Sequence, residues 1–111
     1  MTIKELEALV GMTRANIRFY EQEGLLAPAR RDNGYRDYSD ADADALRKIK
    51  LLRQLHLDLD SIRALQAGTL SLSQALEAQL RALEADQVAL DRARQVCRAL
   101  RESGADYRAL D

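Results

Sequence analysis

The sequence predicts a mainly α-helical protein with one small β-hairpin, ending in a long coiled-coil helix. Three observations carry this expectation. Residues suited to open a helix stand at Thr2, Thr13, Ser39, Asp58 and Ser71, each followed by a helical run. The only Asn-Gly dipeptide, Asn33-Gly34, lies between the second and third of these helix starts, in the stretch that also holds the single proline, Pro28. Residues 72–102 contain no Pro or Gly, and Leu76, Leu83, Leu90 and Cys97 recur every seven positions within them.

The composition agrees. The chain has 111 residues, 47% hydrophobic and 32% charged, which suits one folded domain or a small domain with an appendage. One Pro, five Gly, no Trp and one Phe argue against a barrel or sandwich. A single Cys excludes a disulfide framework within the chain and fits a reducing cytosol, so a cytoplasmic protein is expected. His56 and Cys97 are the only residues of their types, too few for a metal cluster or a nucleophile–base dyad. No catalytic residues, cofactor or metal are therefore expected, and no catalytic constellation supports an enzyme. No apolar run is long enough for a membrane span, and the first residues carry Glu5 and Glu7 where a signal peptide would be basic and apolar.

Each element has its own justification. Thr2 and Glu5 form the pattern of a capping box, and Ile3, Leu6, Leu9 and Val10 follow at helical spacing. Gly11 breaks this helix; Thr13 caps a second, which Gly24 ends in the left-handed conformation. Two short helices about Val10-Gly11-Met12 read as a helix-turn-helix or as an ordinary helical hairpin. Asn33-Gly34 predicts a two-residue hairpin turn with both residues at positive φ, and Pro28 belongs before the strand or at its edge. A basic hairpin placed there is a wing. Arg31, Tyr35 and Arg36 line its tip and can reach phosphates or a minor groove, whereas Tyr35 or Tyr38 can equally pack on the helices. Ser39 and Asp42 open a third helix running to about Leu55, His56-Leu57 makes a turn, and Asp58 caps a short fourth helix closed by Gly68, a pair that can serve as a second wing. Ser71 and Gln74 open the last helix, roughly 45 Å long at 1.5 Å per residue. Its seam of Leu76, Leu83, Leu90 and Cys97 is joined by Leu80 and Gln87 from the intervening column, and so long an amphipathic helix requires a partner. On that seam Cys97 reads as a small buried hydrophobe.

Charge is uneven although the net value is −1. No acid separates Glu7 from Glu21, where Arg14 and Arg18 lie, nor Asp44 from Asp58, where Arg47, Lys48, Lys50 and Arg53 lie. With Arg30, Arg31 and Arg36 about the hairpin, a nearly neutral chain presents three local basic patches.

The run Thr13-Arg-Ala-Asn-Ile-Arg-Phe-Tyr-Glu-Gln-Glu-Gly-Leu-Leu26, then Asn33-Gly-Tyr-Arg-Asp-Tyr-Ser39, then Ile49-Lys-Leu-Leu-Arg-Gln-Leu55, resembles the MerR family of bacterial transcription regulators in order and spacing. The resemblance is close over residues 1–70, and the long helix matches the family's dimer helix in position and length. It implies a winged helix-turn-helix DNA-binding domain over 1–70, a dimerisation helix over 71–103 and a short tail over 104–111. It also implies a homodimer, its long helices antiparallel, that binds and distorts a pseudo-palindromic operator in double-stranded promoter DNA, with RNA polymerase at the same promoter. Carried onto matching positions, Thr13, Arg14, Asn16, Arg18, Phe19 and Tyr20 belong to the recognition helix. Arg31, Tyr35, Arg36 and Tyr38 belong to the wing, and Arg53 and Leu57 to the outer phosphate contacts. Where the family commonly has Gly-Phe before the fourth helix, this chain has His56-Leu57, and which of the two meets DNA stays open.

Departures from the family pattern bear on any effector. Metal-sensing members place a Cys at the start of the dimer helix and others after its end, whereas Ser71-Leu72-Ser73 stands at the start here, so metal sensing is not expected. The ending Asp106–Asp111 has no helix stop signal, leaving a minimal member without its own ligand pocket or the DNA-binding part of a longer chain. Two rival functions are an excisionase-like architectural protein with the same head and a coiled-coil interaction module.

Overall fold

A computed structural model describes residues 1–110, and the chain divides into two units, residues 1–70 and 71–111. In the first, α1 (Ile3–Val10) and α2 (Arg14–Gln22) precede a two-stranded antiparallel hairpin of β1 (Ala29–Arg30) and β2 (Arg36–Asp37). Two further helices, α3 (Asp40–Gln54) and α4 (Leu59–Ala67), complete it. The second unit holds α5 (Leu72–Glu102) and a 3₁₀ turn at Tyr107–Ala109.

The helix starts follow capping chemistry. The hydroxyls of Ser39 and Ser71 accept from the backbone N–H groups of Asp42 and Gln74, whose side chains accept the serine N–H in return, so both are complete capping boxes. Thr2 departs from the expectation. Its hydroxyl accepts from the Glu5 N–H, but it also donates to the Glu5 carboxylate at 3.1 Å, which takes the glutamate away from the backbone. Gly11, at φ 65°, ends α1, and Lys50 Nζ donates to the Val10 and Gly11 carbonyls. An ammonium on the open end of a helix is favourable. It also lies 3.1 Å from where a Cβ on Gly11 would sit, but this flexible chain end can yield, so it is the positive φ that favours glycine at the turn.

The hairpin corrects one expectation. Only Gly34 takes positive φ, at 85°; Asn33 does not. The Arg31 N–H donates to the Tyr35 carbonyl at 2.7 Å, and the Gly34 N–H to the Arg31 carbonyl at 2.8 Å. The loop is therefore three residues, Asp32-Asn33-Gly34, a turn followed by a left-handed glycine. Asn33 acts through its side chain, accepting the Tyr35 N–H at 3.1 Å. Such a side-chain bond stabilises the turn while its backbone stays right-handed.

The core of the first unit lies among its helices and the base of the hairpin. Leu6, Ile17, Tyr38, Leu46, Ile49 and Ile62 are shielded almost completely, with Val10, Tyr20, Leu25, Leu26, Ala43 and Leu57 around them. The turn between α3 and α4 has His56 at φ 63°, the one non-glycine residue with positive φ among those described. The long helix behaves differently. Of its residues only Ala75 is buried, while Leu80, Leu83, Val88, Leu90, Val96, Leu100 and Cys97 are exposed and Leu76 is half-buried.

Candidate nucleic-acid interface

The exposed face of α2 follows from its periodicity. Ile17 and Tyr20 turn inward, which leaves Arg14, Ala15, Asn16, Arg18 and Phe19 outside. Thr13 caps this helix by accepting the Asn16 N–H at 3.3 Å. No carboxylate lies on the face between Glu7 and Glu21, and the one acid that reaches toward it, Glu7, accepts from Arg14 Nε at 3.1 Å. Arg18 makes no hydrogen bond or ion pair within the described residues, so its guanidinium is free to meet a ligand.

Beside α2 the hairpin closes a cleft of about 300 Å³ lined by Thr2, Ile3, Arg18, Asn33, Gly34 and Tyr35 together with Arg30, Arg31 and Arg36. Four guanidinium groups and no carboxylate line it. Such a concentration of fixed positive charge attracts phosphate oxygens and supplies paired donors to them. Arg30 Nη1 donates to the Gly34 carbonyl at 3.1 Å, and Arg31 lies 3.7 Å from Asp37. Tyr35 stands out from the tip, 72% exposed.

A second groove, of about 340 Å³, runs along the turn between α1 and α2 and the facing side of α3. Gly11, Met12, Thr13, Asn16, Tyr20, Lys50, Arg53 and Gln54 line it. Arg53 Nη1 donates to the Leu57 carbonyl at 3.0 Å, which ties the groove to the turn before α4. At that turn Asp58 accepts the Ser61 N–H at 2.7 Å, and the Ser61 side chain, with this backbone bond second, holds the Asp58 carboxyl below the usual carboxylate range. The N-terminus of α4 is thus already occupied by its own anion.

The expected contact residues divide into two groups. Thr13, Arg14, Asn16, Arg18, Phe19, Arg31, Tyr35 and Arg53 are exposed, and Arg36 is half-buried. Tyr38 and Leu57 are withdrawn: they are 1% and 3% exposed, because a ring beneath the hairpin and a leucine at the α3–α4 turn are what close the core there. The Tyr38 hydroxyl is shielded, without a hydrogen-bond partner, and burial holds its pKa above the ordinary tyrosine value. Of the pair at that turn His56, not Leu57, is on the surface. Tyr20 is likewise a core residue, 9% exposed, with an edge on the second groove.

Sequence reasoning missed three residues. Lys50 was placed only in a patch, and its role in closing α1 depends on a partner 40 residues away. Arg63 was not singled out; it bonds to the Glu23 carboxylate, the Glu23 carbonyl and Asp60. Glu21 was read as the end of an acid-free stretch, yet both its oxygens accept from Arg36 Nε at 2.8 Å. No local pattern announces such long-range pairs.

The donor set does not suit a metal. No group of three or more His, Cys, Asp or Glu side chains able to hold an ion exists among the described residues, and Cys97 stands without a second thiol on its own helix.

Comparison with known proteins places this head. The model of the MerR HTH family regulatory proteins matches residues 1–69. The transcriptional regulator HmrR of Rhizobium leguminosarum bv. viciae is 39% identical over 67 residues, 60% of this chain and 52% of its own length. CueR of Yersinia pestis is 38% identical over 68 residues, 60% of this chain and 49% of its own. The chain thus spans about half the length of the curated relatives it matches. Among solved structures, the N-terminal part of MtaN, the multidrug transporter activator of Bacillus subtilis, superimposes with a TM-score of 0.80 at 28% identity, covering 90% of this chain and 97% of that one. The transcription regulator PbrR691 of Ralstonia metallidurans CH34, in complex with lead(II), superimposes with a TM-score of 0.81 at 27% identity, covering 98% and 93%. HiNmlR, a MerR family regulator bound to promoter DNA, shares the fold at 23% identity and a TM-score of 0.62, covering 86% and 78%. With the helix-turn-helix, the basic hairpin and the helical pair after it all inside the match, the protein belongs to the MerR family of helix-turn-helix regulatory proteins.

Proposed function

We propose that this chain is a transcription regulator that binds double-stranded promoter DNA as a homodimer through an antiparallel pairing of α5. The observation that carries the reading is the acid-free surface made by the exposed face of α2 and the four-arginine cleft beside it. A helix fits the major groove, and Arg14, Asn16 and Arg18 supply donors able to read base edges there. Thr13 and Phe19 stand on the same face, and Arg30, Arg31, Tyr35 and Arg36 flank the groove at the position of phosphates and sugar. Arg53 serves the outer backbone.

The seam of α5 supplies the two-fold symmetry. Leu76, Leu80, Leu83, Gln87, Leu90 and Cys97 form the interface, and two heads related by a dyad read a pseudo-palindrome. The bound protein distorts the operator, and RNA polymerase is its partner at the same promoter. The exposed arginines favour this reading over a coiled-coil module, which has no use for them.

Anisotropy titrations of duplexes selected from a randomised pool test the proposal. Specific duplexes should bind with a steep negative dependence on salt, with log affinity falling by about 0.9 for each phosphate neutralised per unit of log salt. Binding with no sequence preference, or none at all, refutes it.

A further inference from the structure

The end of α2 is held by two arginines, one from the hairpin and one from α4. Arg36, on the β2 strand of the hairpin, places Nε 2.8 Å from both oxygens of Glu21. Arg63, on α4, places Nη2 2.6 Å from Glu23 Oε2 and donates through Nε and Nη2 to the Glu23 carbonyl at 3.1 and 2.9 Å. A further bond from Gln66 to the Leu25 carbonyl extends the α4 grip past the helix end. Glu21 is 14% exposed and Arg36 30%, so this pair is partly desolvated and stronger than an open surface pair.

We propose that Glu21 and Glu23 are positioning residues that couple both wings to the recognition helix, with Arg36 and Arg63 as their clamps. The inference rests on the DNA-binding reading and gives Arg36 a second role beside its place in the cleft. Its Nε and its charge are committed to Glu21, and the oriented guanidinium fixes how β2 stands against α2. Arg63 does the same for α4. A helix that carries one acid for each wing sets the distance between the wings, and hence the path of the backbone across them. Acids at the edge of a phosphate-binding surface repel DNA, so their presence there needs a compensating role.

The test uses the sign of that repulsion. Glu21→Gln and Glu23→Gln each remove a negative charge from the binding side, and electrostatics alone predicts tighter binding. The clamp predicts weaker binding, on the order of tenfold for Glu21→Gln and less for Glu23→Gln, whose carbonyl still accepts from Arg63. Affinity is measured on a duplex selected by the wild-type protein, at a temperature where each variant is fully folded. The double variant Glu21→Gln with Arg36→Gln should lose no more than Arg36→Gln alone, and the exchanged pair, Glu21→Arg with Arg36→Glu, should recover part of the loss of either single change. Affinity that holds or rises in Glu21→Gln, or losses that simply add, overturns the proposal. Hydrogen exchange of the Arg31 amide in the free protein provides an arm without DNA, and it should quicken in Glu21→Gln. If the wild-type protein selects no duplex the DNA-binding reading fails, and unchanged exchange at Arg31 then disposes of the clamp as well.

Discussion

The two units solve the problem of apolar surface in opposite ways. The head, residues 1–70, encloses Leu6, Ile17, Leu46, Ile49 and Ile62 among four helices and the connecting segments, and leaves its arginines outside. The 31-residue α5 holds its leucines in a column and leaves Leu80 and Leu90 61% and 65% exposed. A helix with so much apolar surface in water is stable only when a second surface covers it. One unit is thus complete in its packing and gathers arginines on one face. The other is open in its packing. The first arrangement suits a polyanion and the second another copy of itself.

The largest expected effect breaks the second half of this comparison. Leu83 lies on α5 near where the proposed antiparallel partners would cross, and burial of a leucine there would contribute about 1.5–3 kcal/mol in each copy. Leu83→Lys removes that and places two ammonium groups at the seam. Sedimentation equilibrium should show the wild type at about twice 12.5 kDa and the variant shifted to the single mass, with operator affinity lost alongside. A wild-type mass of one chain removes the dimer and the two-fold operator together.

The matching change in the head is Leu46→Ala. Leu46 is fully buried on α3, and truncation of such a leucine costs about 2–5 kcal/mol. Thermal unfolding should move down accordingly, while the sedimenting mass below the transition stays that of the wild type. A fall in mass instead would mean that the seam depends on head packing, and the contrast between the units would dissolve.

How much of this was legible in the sequence follows the same division. Helix limits were readable because caps are local: Ser39, Asp58 and Ser71 act on backbone groups three residues away. The α5 column was readable because heptad spacing survives without tertiary context. The wing was located but its turn was misjudged. Asn-Gly fits two loop lengths, and the choice falls to the pairing of Arg31 with Tyr35. At the interface, the family resemblance suggested Tyr38 and Leu57 as contacts, but an aromatic or a leucine beside a basic motif serves the core equally well, and only packing separates the two. The Glu21–Arg36 and Glu23–Arg63 pairs were invisible because their partners are 15 and 40 residues apart.

A smaller effect probes the open charge of the head. Arg18 is the cleft arginine on α2 and has no internal partner to lose, so Arg18→Ala should leave the thermal midpoint in place. Affinity for a selected duplex should fall by about 1–3 kcal/mol, and the salt slope should shrink by about one. Both readouts unchanged would show that the cleft does not face DNA.

The smallest effect separates the two units by acid. Asp58 opens α4 with a carboxylate, whereas Ser71 opens α5 with a hydroxyl that does not titrate. The Ser61 side chain first, and its backbone N–H second, hold the Asp58 pKa below its ordinary value. A group depressed in this way contributes its full stability above the unfolded-state pKa and loses it as pH falls through the lower folded value. Asp58→Ser keeps an acceptor for the Ser61 N–H and removes the titration. Its thermal midpoint near neutral pH should therefore stay within about 1 kcal/mol of the wild type, the usual scale of a cap. Below the ordinary carboxylate range its midpoint should fall less steeply than the wild type's, though it still falls, because Asp44 and Asp37 are depressed as well. Ser71→Asp should do the reverse, giving the long helix a cap that titrates. Melting curves from neutral pH to about pH 2 read both changes, and superimposable acid profiles for Asp58→Ser and the wild type would remove Asp58 from the account of the head's stability.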